Sequence, residues 1–124
     1  MGVRTTIEGH MVVRWADGHE TSLAPEACLS GDRASFHGVD LVAPPYILRV
    51  VAEPLEGIGA AVIDTGSGGR TVFRAASCKV LRGDVQRTGW QVNDIQDVSG
   101  HLEADCRLAS GEEIHGNIGF EHCH

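Results

Sequence analysis

From Leu102 to Leu108 the side chains alternate without a break: Leu102, Ala104, Cys106 and Leu108 are apolar, whereas Glu103, Asp105 and Arg107 are charged. A period of two sets one group on a buried face and the other in water, which predicts a half-buried strand. Ile114, Ile118 and Phe120 continue the same period. A three-residue loop, Ala109-Ser110-Gly111, keeps both apolar sets on one side, whereas a two-residue loop would oppose buried to wet. Glycine in the third position suits the left-handed residue that such loops need. In that register Cys106 opposes Ile114 and Leu102 opposes Ile118 inside, while Arg107 opposes Glu113 and Asp105 opposes His115 outside.

The same device occurs near the start. Val13 to Glu20 matches Cys106 to Glu113 at four of eight positions, with loop Ala16-Asp17-Gly18. It pairs Arg14 with Glu20 and puts Met11, Val13, Trp15 and Leu23 on one face. Between the hairpins, Tyr46 to Glu53 and Gly59 to Asp64 read as strands with apolar residues on both faces, and Gly66-Ser67-Gly68-Gly69 turns the chain into Arg70 to Ala76. Pro44-Pro45 holds the approach to Tyr46 extended. Two helical turns are expected. One is Pro25 to Leu29, with Gly31 past its end; the other is Gly89 to Val98, opened by Thr88-x-x-Gln91 and closed by Gly100. The pattern predicts an all-β fold, a small antiparallel barrel or sandwich of about eight strands with one or two short helical turns.

Composition supports this picture. Val and Ile number 20 against 8 Leu, and Gly numbers 16, a bias toward β-branched residues punctuated by turns. The 124 residues suffice for one core, and 1–124 reads as a single domain. The net charge of −7 is uneven: residues 1–83 carry 8 basic and 9 acidic groups, residues 84–124 carry 2 and 8. An acidic chain whose one lysine is Lys79 is not expected to bind nucleic acid, which depends on clustered cations. No apolar run approaches the roughly 20 residues that span a bilayer, so no membrane partner is expected. Met1 to Glu8 lacks the apolar core of a secretion signal, which points to a cytoplasmic protein with Cys28, Cys78, Cys106 and Cys123 as reduced thiols.

Three groups of residues carry candidate chemistry. Asp64-Thr65-Gly66-Ser67, preceded by Ala60-Ala61-Val62-Ile63, resembles the signature of the aspartic peptidases. Thr71-Val72-Phe73 and Asn117-Ile118-Gly119 stand where that family continues with hydrophobic elements, while Gly68-Gly69-Arg70 departs from its pattern. The resemblance implies a retropepsin-like dimer in which Asp64 shares a proton with its mate. The other reading of the same residues is a Gly-rich turn in which Asp64 accepts from local backbone donors.

Seven histidines form the second group, and His101, His115, His122 and His124 lie in the acidic third. If Glu121 to His124 is extended, His122 and His124 point the same way and could chelate a transition metal, with His115 or Glu121 as a further ligand. The plainer reading is a solvated terminus, and no cofactor is expected.

The third group is Trp90 among Gln86, Gln91, Asn93, Asp94 and Gln96. A ring for stacking among orienting amides suits a carbohydrate or other polar small molecule, although such a ring also serves to cap a core. The leading expectation is a non-enzymatic binding domain for a polar small molecule or a protein partner. Its ligand residues are Trp90, Gln91, Asn93 and Tyr46, with Trp15 and His37 near the same open end. A homodimer fits this expectation, because an unclosed sheet must cover its edges.

Overall fold

The computed structural model describes residues 4–55 and 57–124, so Met1, Gly2 and Val3 of the N-terminal reading lie outside the described residues. Among the described residues ten strands form two five-stranded antiparallel sheets. They are β1 (Thr6–Arg14), β2 (Glu20–Leu23), β3 (Ala27–Ser30), β4 (Gly38–Ala43), β5 (Tyr46–Glu53), β6 (Gly57–Asp64), β7 (Arg70–Phe73), β8 (Cys78–Val92), β9 (Ile95–Arg107) and β10 (Glu113–Cys123). The first sheet runs β2-β1-β10-β9-β8 and the second β3-β4-β5-β6-β7. The fold is therefore a sandwich of open sheets and not a closed barrel. No described helix is long and apolar enough to cross a membrane.

The two hairpins follow the predicted register. Cys106 pairs with Ile114, His115 with Asp105, Glu113 with Arg107 and Ile118 with Leu102, and Arg14 pairs with Glu20. Both loops close identically. The Gly18 amide donates to the Trp15 carbonyl and the Gly111 amide to that of Leu108, and both glycines adopt positive φ. Alternation then builds the core. Met11, Val13, Leu102, Ile114, Ile118 and Phe120 of the first sheet are fully buried against Val39, Leu41, Leu48, Val50, Val62 and Phe73 of the second.

Both expected helical turns are strands instead. Cys28 and Ser30 alternate inward on β3, and a short 3-10 turn follows at Gly31–Ala34, with the Ser30 hydroxyl accepting from the Asp32 amide. Gly89 to Val98 is a hairpin whose turn residues Asn93 and Asp94 both have positive φ, at 52° and 67°. That two-residue turn has the conformation that matches the right-handed twist of the flanking strands, and Asn and Asp tolerate it better than most residues. A second 3-10 turn, Ala75–Ser77, carries the chain from β7 into β8.

The expectation of reduced thiols is overturned, since all four cysteines are paired. Cys28–Cys123 joins β3 to β10 and hence one sheet to the other, while Cys78–Cys106 links the neighbouring strands β8 and β9. Neither pairing follows from spacing along the chain. The first spans 95 residues, and its halves meet only because the two sheets stack.

Candidate functional site

One end of the sandwich collects aromatic and polar side chains from four segments. Trp15 leaves β1, and its indole N–H donates to the Thr21 hydroxyl at 2.9 Å. Asp17 in the adjoining loop accepts from the His19 backbone N–H at 3.0 Å and contacts its Nδ1 at 2.5 Å. These bonds to His19, led by the one from its backbone, hold the Asp17 carboxyl below its ordinary range. They also fix the His19 ring against Trp15, with centroids 6.0 Å apart, and the Tyr46 ring lies 5.6 Å from that of Trp15.

Tyr46 is positioned by the tight turn at Pro44-Pro45, whose peptide bond is cis. The Pro45 carbonyl accepts from both the amide and the hydroxyl of Thr65, which pins the β6–β7 loop beside Tyr46. Within that loop the Asp64 Oδ1 accepts from the amides of Gly66 at 2.9 Å and Ser67 at 3.3 Å, and Ser67 Oγ accepts from Gly69. Asp64 thus orders a Gly-rich turn, and its Oδ2 lies outside that set of bonds. Between loop and rings is a cavity of about 380 Å³ lined by Trp15, His19, Tyr46, Asp64, Arg70 and Thr71. It offers a ring face, a carboxylate, a guanidinium and a hydroxyl within one small volume, the mix that orients a polar ligand.

The structure does not bring all the predicted ligand residues to this end. Gln91 pairs with Gln96, whose amide donates to Asp32, so Trp90, Gln91 and Asn93 lie with the 3-10 turn after β3. On β9, Gln96 is eleven residues and roughly 36 Å of strand away from Arg107, near which Trp15 sits. Trp90 is 53% exposed there and caps no core. His37 is also distant from Tyr46. Its Nε2 meets the Val85 carbonyl, and its own carbonyl accepts from Ala52 at the far end of β5.

The histidines separate as well. His115 faces Asp105 on the outer surface of the first sheet, seven residues and roughly 20 Å along β10 from His122. His122 and His124 instead converge on Asp97, which is fully buried. His122 Nδ1 lies 2.7 Å from one carboxylate oxygen, which also accepts from the Thr88 hydroxyl at 2.6 Å, and His124 Nδ1 lies 3.2 Å from the other. Burial alone would raise the Asp97 pKa, but the hydrogen bonds from Thr88, His122 and His124 outweigh it and hold the carboxyl below its usual range. The Ser99 hydroxyl accepts from the His122 amide and Thr5 donates to the His122 carbonyl, so the chain end is fastened across a bulge at which His122 has a φ of 56°. Sequence parity hides Asp97, because it shares the outward face of β9 with His101 and Glu103, and there Thr88 and the returning tail, through His122 and His124, close over it. Among the described residues no three His, Cys, Asp or Glu side chains are grouped as a metal site. Cys123 is held in its disulfide and Glu121 points outward, exposed.

Comparison with protein-family models, curated proteins and solved structures found no match to this chain.

Proposed function

We propose that the protein is a non-enzymatic binding domain that takes a polyhydroxylated small molecule, of the carbohydrate type, at the Trp15–Tyr46 end of the sandwich. The observation that carries this reading is the 380 Å³ cavity in which Trp15 and Tyr46 stand beside Asp64, Arg70 and Thr71. Stacking of an apolar sugar face on a ring and bidentate polar contacts at the edges are the two halves of such recognition. The backbone bonds that order the loop from Asp64 to Gly69, and those from Thr65 to Pro45, favour a preformed site with little left to order on binding. The two disulfides favour an oxidising compartment over the cytoplasm, because a reducing one would keep these thiols free.

Calorimetry with cellobiose, maltose and diacetylchitobiose tests this reading on the full chain. At least one of the three binds, and Trp15→Ala and Tyr46→Ala each weaken it tenfold or more, in line with the loss of about 1.4 kcal/mol or more per ring. Trp90→Ala leaves the affinity unchanged. No binding of any of the three, or a loss caused by Trp90→Ala alone, overturns the reading.

A further inference from the structure

The outer face of the second sheet is apolar, and the period of two places its side chains. Leu29, Val42, Ile47, Val51, Ile63 and Val72 occupy positions on β3 to β7 that point away from the core. They lie outside the core cluster, and Leu29 and Val72 are 39% and 37% exposed. The face differs in relief on the two sides of β5. On the β6 side, Gly57, Gly59 and Ala61 have little or no side chain and floor a trough of about 700 Å³. On the β4 side, Phe36 fills the space above Gly38, where an added Cβ would fall 2.8 Å from its ring. A ridge and a trough thus flank one strand at the same level, since Gly38 and Gly59 both pair with Val51.

The carboxylates are distributed just as unevenly. Among the described residues, the outward strand positions of the second sheet hold two of them, Asp40 and Glu53. Asp40 is neutralised by Arg49, whose guanidinium bonds it at 2.8 and 3.0 Å and lies 4.6 Å from the centre of the Phe36 ring. The pair is already largely out of water, with side chains 27% and 15% exposed, so covering it adds little desolvation. On the first sheet, by contrast, Glu8, Glu20, Glu103, Asp105, Glu113 and Glu121 all stand outward. Two chains of net charge −7 therefore meet least repulsion across their second sheets.

We infer that a second copy of this chain covers the face, with the two second sheets stacked about a twofold axis that runs along β5. Such an axis keeps the level along the strands and reverses their order, so β4 of one protomer lies over β6 of its partner and β5 lies over β5. The Phe36 ridge then enters the trough at the partner's Gly59, and the reciprocal contact forms on the other side of the axis. By the same register Val42 meets the partner's Ile63, Leu29 meets the partner's Val72, and Ile47 and Val51 each meet their own equivalents on the axis. Arg49 leans off the axis onto Asp40 and Phe36, which keeps the two guanidinium groups apart. Sheets stacked face to face within about 30° of alignment allow this geometry. Strands of four to eight residues, at about 3.3 Å per residue and about 4.8 Å apart, give a face of roughly 500 Å². Two such faces reach the roughly 1,000 Å² at which specific interfaces begin, which suits association in the micromolar range.

Sedimentation equilibrium of the full, disulfide-bonded chain tests the inference. Wild type passes from one chain to two as its concentration rises through the micromolar range. Ile47→Asp and Ile47→Lys each weaken the association at least tenfold, because the axis sets like charges against each other. An equimolar mixture of these two variants associates at least tenfold more tightly than either alone, since each then meets the opposite charge. A residue that served folding alone would not give that rescue. Val51→Asp and Val51→Lys, elsewhere on the axis, repeat the test if a variant at Ile47 does not fold. Trp15→Ala, which weakens sugar binding, leaves the association unchanged, so the two readings fail independently. A wild type that stays a single chain, charged variants that associate as wild type does, or a mixture no tighter than its components overturns the inference.

Discussion

Replacing Cys28 and Cys123 together by alanine is expected to remove about 4–5 kcal/mol of stability, the largest loss of any change discussed here. The bond closes a loop of 95 residues, and the chain entropy that such a closure removes from the unfolded state amounts to about 4.7 kcal/mol at 25 °C. For a domain whose whole stability is about 5–15 kcal/mol, a loss of that size leaves little or no margin. The bond also joins the two sheets covalently at this corner, since β3 and β10 belong to different ladders. The pair Cys78 and Cys106 closes only 28 residues between strands already joined by their ladder, and its removal is expected to cost about 3.6 kcal/mol by the same relation. Urea unfolding of the two double variants measures both. Losses in the reverse order would show that the sheets hold together without the bond between them.

Asp97→Ala is expected to cost about 2–3 kcal/mol at neutral pH, because it strips the acceptor from the Thr88 hydroxyl and from both imidazoles at a fully buried position. His122 and His124 keep 28% and 29% of their side chains in contact with solvent, so water recovers part of the loss. The pH dependence has a definite sign. The Asp97 carboxyl is depressed in the folded state relative to about 3.9 in an unfolded chain, so the folded protein binds its proton less readily. Its contribution is therefore complete above about pH 4 and is lost as pH falls through the lower folded value. Denaturation of wild type and Asp97→Asn at pH 5 and pH 3, an interval below the ordinary imidazole range at about 6.5, tests it. Wild type loses more stability over that interval than the variant does, and parallel losses would mean that Asp97 is held no differently in the fold than in the unfolded chain.

What was legible in the sequence was whatever depends on neighbours along one strand. The alternation through Cys106 and Ile114, with a three-residue glycine loop, dictates the register of the last hairpin without reference to the rest of the molecule. The hairpin at Trp15 follows from the same device. What was not legible depends on residues brought together by the stacking of the sheets. Cys28 and Cys123 have no local signature, and four cysteines allow three pairings. Asp97 has an outward parity and is buried by a tail from another strand.

In the stretch from Gly89 to Val98, Thr88-x-x-Gln91 imitates a helix start, whereas Asn93-Asp94 forms a two-residue hairpin turn. That turn leaves Trp90 exposed on the edge strand β8. Tyr46 meets Trp15 in the structure, since both flank turns at one end, but Asp64 and Arg70 beside them come from the ends of β6 and β7, which sequence order puts far from Trp15.

The central claim, that the ligand site lies at the Trp15–Tyr46 end, is tested most directly by amide chemical-shift mapping of the isotope-labelled protein during titration with whichever of the three disaccharides binds. The account predicts shifts confined to Trp15, His19, Tyr46, the Asp64–Gly69 loop and Thr71. Shifts centred on Trp90, Gln91 and Asn93 would contradict it and restore the other end of the sandwich as the binding site.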